Sequence, residues 1–348
     1  MKRADLFEKM SKQTAKEITK RIFSAALVLL VTGVLLAGCG NANETQTYAW
    51  ALGTSSPEDT VTQLYGEKFV EEVDRLSDGR MKINIYPNSV IGNDRELLES
   101  CADGDIPFVV QNTAPQVSFM PEISVFDLPC AFTTMAQARA AVDNPEFYQS
   151  LQEVYQEGGY HLLGMADQGF RVMTSNTKVQ KISDFKGQKI RTMENSNHLL
   201  FWKDLGANPT PMTFSEVYIG LQQHTIDAQE NPYEVIVSGK LYEQQDYVIQ
   251  TNHLPHMISL IMNDDFLGDM SPEDQKIIQQ AAKTATQYAR EQADERVADR
   301  IEIMEKSGTE MVELSDDVHQ EMRDLSQNVY ENIRSQAGDE LVDAYLVE

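Results

Sequence analysis

The chain has 348 residues with 29 Lys/Arg against 54 Asp/Glu, a formal charge of −25. That excess of acid repels nucleic-acid phosphates and anionic lipid surfaces, so neither is an expected partner. A bound anion must then be held by locally placed cations, which makes single arginines informative.

In chain order, Met1–Arg21 carries seven Lys/Arg and three acids, and an apolar run from Ile22 to Leu36 follows. The run is shorter than the roughly 20 residues a membrane-spanning helix needs. It ends in Leu36-Ala37-Gly38-Cys39. A positive head, a short apolar stretch and small residues before a cleavage point mark a removed export signal over residues 1–38. The Leu-Ala-Gly-Cys word resembles a lipobox, which implies a diacylglycerol on the Cys39 sulfur and a lipidated tether over residues 39–47. The remaining 310 residues keep 22 Lys/Arg and 51 acids, a formal charge of −29. Of the other cysteines, Cys101 and Cys130, two free thiols or one bridge both fit an oxidising compartment.

A chain of this length suggests two domains. Tyr48–Gly53 reads as a strand. Val61, Leu64, Tyr65, Phe69, Val73 and Leu76 mark an amphipathic helix, and Met81, Ile83 and Ile85 alternate as a second strand. This is a βαβ unit, favouring a parallel or mixed sheet. Glu96–Cys101 reads as helix, followed by a strand Ile106–Val110 ending at Gln111-Asn112. Ser215–Gln223 repeats that order and ends at Glu230-Asn231. Ligands of open α/β sheets sit outside the carboxyl ends of strands, so Asn112 and Asn231 are expected at one shared cleft.

Between these units, Tyr160–Met165 and Val172–Thr174 read as separate strands flanking Arg171, and Lys186–Arg191 places a second arginine at a strand end. Thr213-x-x-Glu216 has capping-box spacing. Ser271-Pro272-Glu273-Asp274 is a strong helix start. The pattern runs on to about Lys306, a rod of roughly 50 Å expected to back both domains. No GxSxG, HExxH, P-loop or dinucleotide fingerprint is present. His253 and His256 are separated by Pro255, which disfavours presenting both from one helical turn. No metal, cofactor or enzymatic activity is expected.

The words GFRVMTSN (169–176), KGQKIRTMEN (186–195), LGANPTPMTFSEVYIGLQ (205–222) and QENPY (229–233) resemble the solute-binding proteins of tripartite ATP-independent periplasmic (TRAP) transporters, the DctP family. So do SDGRMKINIYPNSVIGNDRE (77–96) and PEISVFDLPCAF (121–132). The resemblance implies a two-domain, periplasmic-binding-protein-like α/β fold with a long helix spanning both domains. Domain I would comprise residues 48–168 with about 257–296, and domain II residues 169–256 with about 297–348. It implies a monomer, tethered outside the cytoplasmic membrane, that delivers an organic acid to TRAP permease subunits, with a ligand-sensing partner of a membrane receptor as the alternative. Arg191 would grip the ligand carboxylate, since a guanidinium fork matches a carboxylate plane. The family pattern adds Arg171, Asn231 and Phe214, and places Asp94, Asn112 and His253 at or near the ligand. Glu194 stands where sialic-acid binders carry an amide. An acid there favours a polyhydroxylated acid, a uronate or aldonate, over a C4-dicarboxylate. The chain departs from the family at His224, where a glycine is common, and at Asp227-Ala228-Gln229.

Overall fold

The first strand, β1 (Tyr48–Gly53), leads into α1 (Val61–Leu76), whose N-cap Thr60 accepts a hydrogen bond from the Gln63 amide. β2 (Met81–Tyr86) returns parallel to β1, in register from Tyr48 opposite Met81 to Gly53 opposite Tyr86. The expected βαβ unit is therefore present. α2 (Asp94–Ala102) starts at Asn93 with a reciprocal capping box to Glu96 and feeds β3 (Phe108–Asn112), also parallel to β1. The computed structural model describes residues 47–346. The expected signal, Cys39 and the tether up to residue 46 lie outside the described residues.

After α3 (Met135–Val142) and α4 (Pro145–Glu157) comes β4 (Tyr160–Ser175), one unbroken strand where the sequence suggested two. Register shifts between Asp167 and Phe170 and between Arg171 and Met173 absorb Gly169, whose φ is +82°. Such bulges re-aim side chains in mid-strand, and Arg171 lies within this one.

The second α/β half runs β5 (Lys189–Thr192), α5 (Ser196–Asp204), β6 (Asn208–Pro211), α6 (Phe214–Gln222), β7 (Ala228–Asn231) and α7 (Tyr233–Ser238). β6 and β7 both pair in parallel with β5. β8 (Tyr247–Asn263) then pairs antiparallel with β4 from end to end. The sheet order is β2-β1-β3-β8-β4-β7-β5-β6, so β4 and β8 carry it from one half to the other. At α6 the expected capping box does not form: the Thr213 hydroxyl donates to the Glu216 carboxylate instead of accepting from a backbone amide.

α8 (Asp264–Gly268) precedes the long helical segment. Ser271 caps it as expected, but it is two helices, α9 (Pro272–Glu295) and α10 (Val297–Ser307), that meet at Arg296. No glycine or proline marks the break; the Arg296 side chain is anchored instead to Glu234 and Asp59. α9 packs a stripe of Ala281, Ala282, Ala285 and Ala289 with Tyr65, Phe69 and Val73 of α1. Close approach to β4 requires Gly164, where a Cβ would stand 2.3 Å from Thr286 Oγ1. Met304 of α10 belongs to a separate cluster with Val217, Leu221, Ile236 and Val248. β9 (Glu310–Glu313) adds in parallel to β8, and α11 (Asp316–Leu325), α12 (Gln327–Ala337) and α13 (Asp339–Leu346) complete the described chain. Cys101 and Cys130 are free thiols, both pushed up to about 12 by burial.

Candidate functional site

Arg191 sits on β5 between Thr210 of β6 and Gln229 of β7, and is 2% exposed. Its Nε and Nη2 both donate to the Met212 carbonyl, at 2.9 and 2.6 Å. Nη1 is buried without an acceptor. A guanidinium has five N–H donors. With the Nε/Nη2 side occupied, the end-on fork formed by Nη1 and the second Nη2 hydrogen stays open, and it fits the two oxygens of one carboxylate. Burial pushes the Arg191 pKa down to about 10, against the pull of Glu230, so the group remains a cation at neutral pH. A buried charged donor without an acceptor costs free energy that an anion would return.

Asn93, Asp94 and Pro115 face Arg191 from the first half of the chain, and Met193, Glu194, Met212 and Thr213 flank it from the second. The capping box at Asn93 fixes the start of α2 and hence the position of Asp94, whose carboxylate also accepts from the Ser55 hydroxyl. Burial pushes the Asp94 carboxyl up, with Ser55 and Arg191 opposing and Glu194 adding to the rise. Glu194 is exposed at the rim. The free volume between these residues is about 20 Å³, room for about one water.

A second buried cluster adjoins the first and is built around Glu230 of β7, which is 0% exposed. Arg171 meets the Glu230 carboxylate through Nε and Nη2, and Nη2 also donates to the Glu230 carbonyl (2.6 Å) and to Asn231 Oδ1 (3.2 Å). Its Nη1 bonds His256 Nδ1. His253 Nε2 lies 3.1 Å from Glu230 Oε2, and its ring stacks on Phe201 at 5.4 Å. On the far side, His198 Nε2 lies 3.1 Å from Asp127, and its Nδ1, 3.9 Å from Glu230, has no hydrogen-bond partner. Asn195 and Asn197 donate to the same Asp127. Burial would raise the Glu230 pKa, but Arg171, His198 and His253 outweigh it and hold the carboxyl well below its ordinary range. Burial and Arg171 hold His256 well below the usual histidine range, consistent with a neutral ring accepting from the arginine.

The sequence-derived residues thus divide. Arg191, Asp94 and Glu194 share one cleft. Arg171, Asn231 and His253 belong to the Glu230 cluster, where the Asn231 amide also donates to Gln229. Asn112 closes its own turn, donating to the Met257 carbonyl and accepting from the Ala114 amide, both at 2.9 Å. Phe214 packs with Met212 and Tyr218 against the cluster of α6 and α7 and is not among the residues lining the Arg191 cleft. His256 and His253 are buried parts of this network, and among the described residues no group of His, Cys, Asp or Glu is arranged to hold a metal ion. Sequence reasoning passed over Glu230, His198, Asp127 and Ser55. The strand that carries Glu230, Ala228–Asn231, lies between β4 and β5, but its polar residues give no sign of that burial in the sequence.

A buried arginine fork in a cleft between two α/β halves is an arrangement able to take an anionic group. Residues 52–336 match the profile of the bacterial extracellular solute-binding protein family 7, the DctP family, and the chain belongs to this family. It is 32% identical over 272 residues to the ectoine/5-hydroxyectoine-binding periplasmic protein of Ruegeria pomeroyi, covering 76% of this chain and 79% of that one. The sugar acid binding protein of Advenella mimigardefordensis, solved with galactonate, superposes with a TM-score of 0.83 at 29% identity, over 87% of this chain and 98% of that one. A TRAP periplasmic solute-binding protein of Polaromonas, bound to D-erythronate, gives 0.82 at 31% identity, over 86% and 98%. The two-domain periplasmic-binding architecture follows from these matches, and the family's members are solute-binding transport proteins.

Proposed function

We propose that this protein captures a polyhydroxylated monocarboxylate, a uronate or aldonate, outside the cytoplasmic membrane and hands it unchanged to TRAP permease subunits. The observation that carries this reading is the open end-on fork of Arg191 opposite Asp94 and Glu194. One ligand carboxylate completes the fork, and the two protein carboxylates accept hydrogen bonds from ligand hydroxyls. A C4-dicarboxylate would need a second cation across the cleft, where the charged lining residues besides Arg191 are acids. Arg171, Asn231 and His253 would hold the adjoining charge network, and Pro115, Met193 and Met212 would shape the walls.

A ligand of this size needs on the order of 300 Å³, against about 20 Å³ free beside Arg191. Entry therefore requires two lobes to part, which we take as residues 48–168 with about 257–296 and residues 169–256 with about 297–348. A thermal-shift screen tests the ligand class, because a solute that binds only the native state raises the melting temperature. Galactonate, galacturonate and D-erythronate should raise it. A shift with succinate alone would overturn the sugar-acid reading, and a shift with ectoine alone would assign the two acids to a cationic group.

The lipid anchor is also part of the proposal. Cys39→Ser should release the protein from the membrane fraction or halt its maturation. Unchanged membrane retention of a matured Cys39→Ser protein would remove the anchor.

A further inference from the structure

The loop between β1 and α1 touches two places at once. Ser55 reaches Asp94 in the ligand cleft. Four residues on, Asp59 is held with φ at +57°, a left-handed conformation that aspartate and asparagine adopt more readily than other side-chain residues. The Asp59 carbonyl accepts from Ser238 Oγ (2.7 Å), Arg296 Nη2 (3.0 Å) and Arg300 Nη2 (3.0 Å). Its carboxylate accepts from the same two arginines at 2.7 and 2.8 Å. Both arginines turn their Nε to one oxygen of Glu234, at 3.0 and 2.9 Å.

These bonds join separately packed bodies. Asp59 immediately precedes α1, whose apolar face belongs to the cluster of β1, β3 and α9. Ser238 and Glu234 lie on α7, and Arg300 lies on α10, both packed in the cluster around Ile236 and Met304. Arg296 is the residue at which the long helical segment breaks. An isolated exposed ion pair contributes little. Here the Asp59 carboxylate is 64% exposed, but its main-chain carbonyl shares the same two guanidinium groups, and these are anchored on Glu234, which is 4% exposed.

We propose that Asp59 is a clasp that fastens the β1–α1 loop to the Arg296–Arg300 segment and sets ligand affinity by holding the cleft shut, without touching the ligand. The proposal rests on the capture reading above. Asp59 is thus a positioning residue, and its loss weakens every acid by the same factor.

The test compares purified wild type with Asp59→Asn, which tolerates the left-handed backbone and keeps the carbonyl bonds while removing the charge. Ser238→Ala, at the opposite side of the clasp, serves as a milder second variant. Affinities for galactonate and D-erythronate are measured by calorimetry. Distances between spin labels at Val90 and Ile219, both exposed, are measured with and without 5 mM (about a saturating dose for a micromolar binder) galactonate. Asp59→Asn should weaken both acids equally, by about three-fold, the scale of a solvent-screened ion pair. It should also shift the labels to longer separations, with Ser238→Ala changing both in the same direction. Unequal loss for the two acids would make Asp59 a ligand contact, and unchanged affinities with unchanged distances would leave no clasp. If neither acid binds wild type, the capture reading fails separately, and identical label distances in wild type and Asp59→Asn then overturn the clasp.

Discussion

Arg191→Lys is expected to bind galactonate roughly 10- to 100-fold more weakly than wild type, and Arg191→Ala more weakly still, with both variants folded. A lysine retains the positive charge but offers a single ammonium in place of a planar fork. At this position the Met212 carbonyl, which takes two donors from Arg191, would claim one of its three hydrogens. The two parallel bonds to a carboxylate, each worth roughly 1.5–3 kcal/mol when charge-assisted, cannot both be made. Lysine keeps at most one of them, and losing the other corresponds to a factor of roughly 10–150. Stability should change much less than affinity, because the wild-type guanidinium already carries a buried Nη1 without an acceptor. Calorimetric titration, with far-ultraviolet circular dichroism as the folding control, decides the matter. Near-normal binding by Arg191→Lys would mean that charge alone suffices and that the fork plays no part.

The place of Arg191 on a short strand was legible because its surroundings are local. The residue ends a short strand, and the family-like words around it fix its place in the fold. The same holds for β1, α1 and β2, where apolar spacing and turn residues within about 40 residues carry the pattern. Features that depend on distant partners were not legible. The break at Arg296 has no glycine or proline behind it and comes from anchoring to Asp59, which is 237 positions away. The single strand β4 looked like two because Gln168–Arg171 interrupts the apolar pattern. Its continuity comes from β8, which pairs across the interruption through bulges. Thr213 and Glu216 have the spacing of a capping box, yet their side chains bond each other, a choice that spacing cannot decide. Glu230 was the largest omission. An acid in a short strand reads as an exposed edge residue unless Arg171, His198 and His253, which converge on it from three other elements, are known to be there.

Glu230→Gln should be the most destabilising conservative change in the site. The amide keeps the shape but removes the charge that neutralises Arg171, which is 1% exposed. Breaking a buried ion pair from one side typically costs about 3–5 kcal/mol, and urea unfolding would measure the loss. The pH dependence distinguishes this loss of charge from a packing defect. In the wild type, burial disfavours the charged form of His198, but Asp127 and Glu230 outweigh it and raise the pKa to about 9. A raised folded pKa contributes stability that is full below the unfolded value near 6.5 and is lost as the pH rises through about 9. That contribution is worth about 3 kcal/mol on this scale. The Glu230 carboxyl, held well below its ordinary range, contributes in the opposite sense, present above the unfolded value of about 4.3 and lost as the pH falls through its folded value. Wild type should therefore be most stable between about pH 4.3 and 6.5 with respect to these two groups. In Glu230→Gln the acid limb loses this contribution, and the alkaline limb shrinks as His198 keeps only Asp127. Equal unfolding free energies for wild type and variant at pH 6, or an unchanged loss between pH 6 and pH 9.5 (about half a pH above the His198 midpoint), would show that Glu230 does not act through charge.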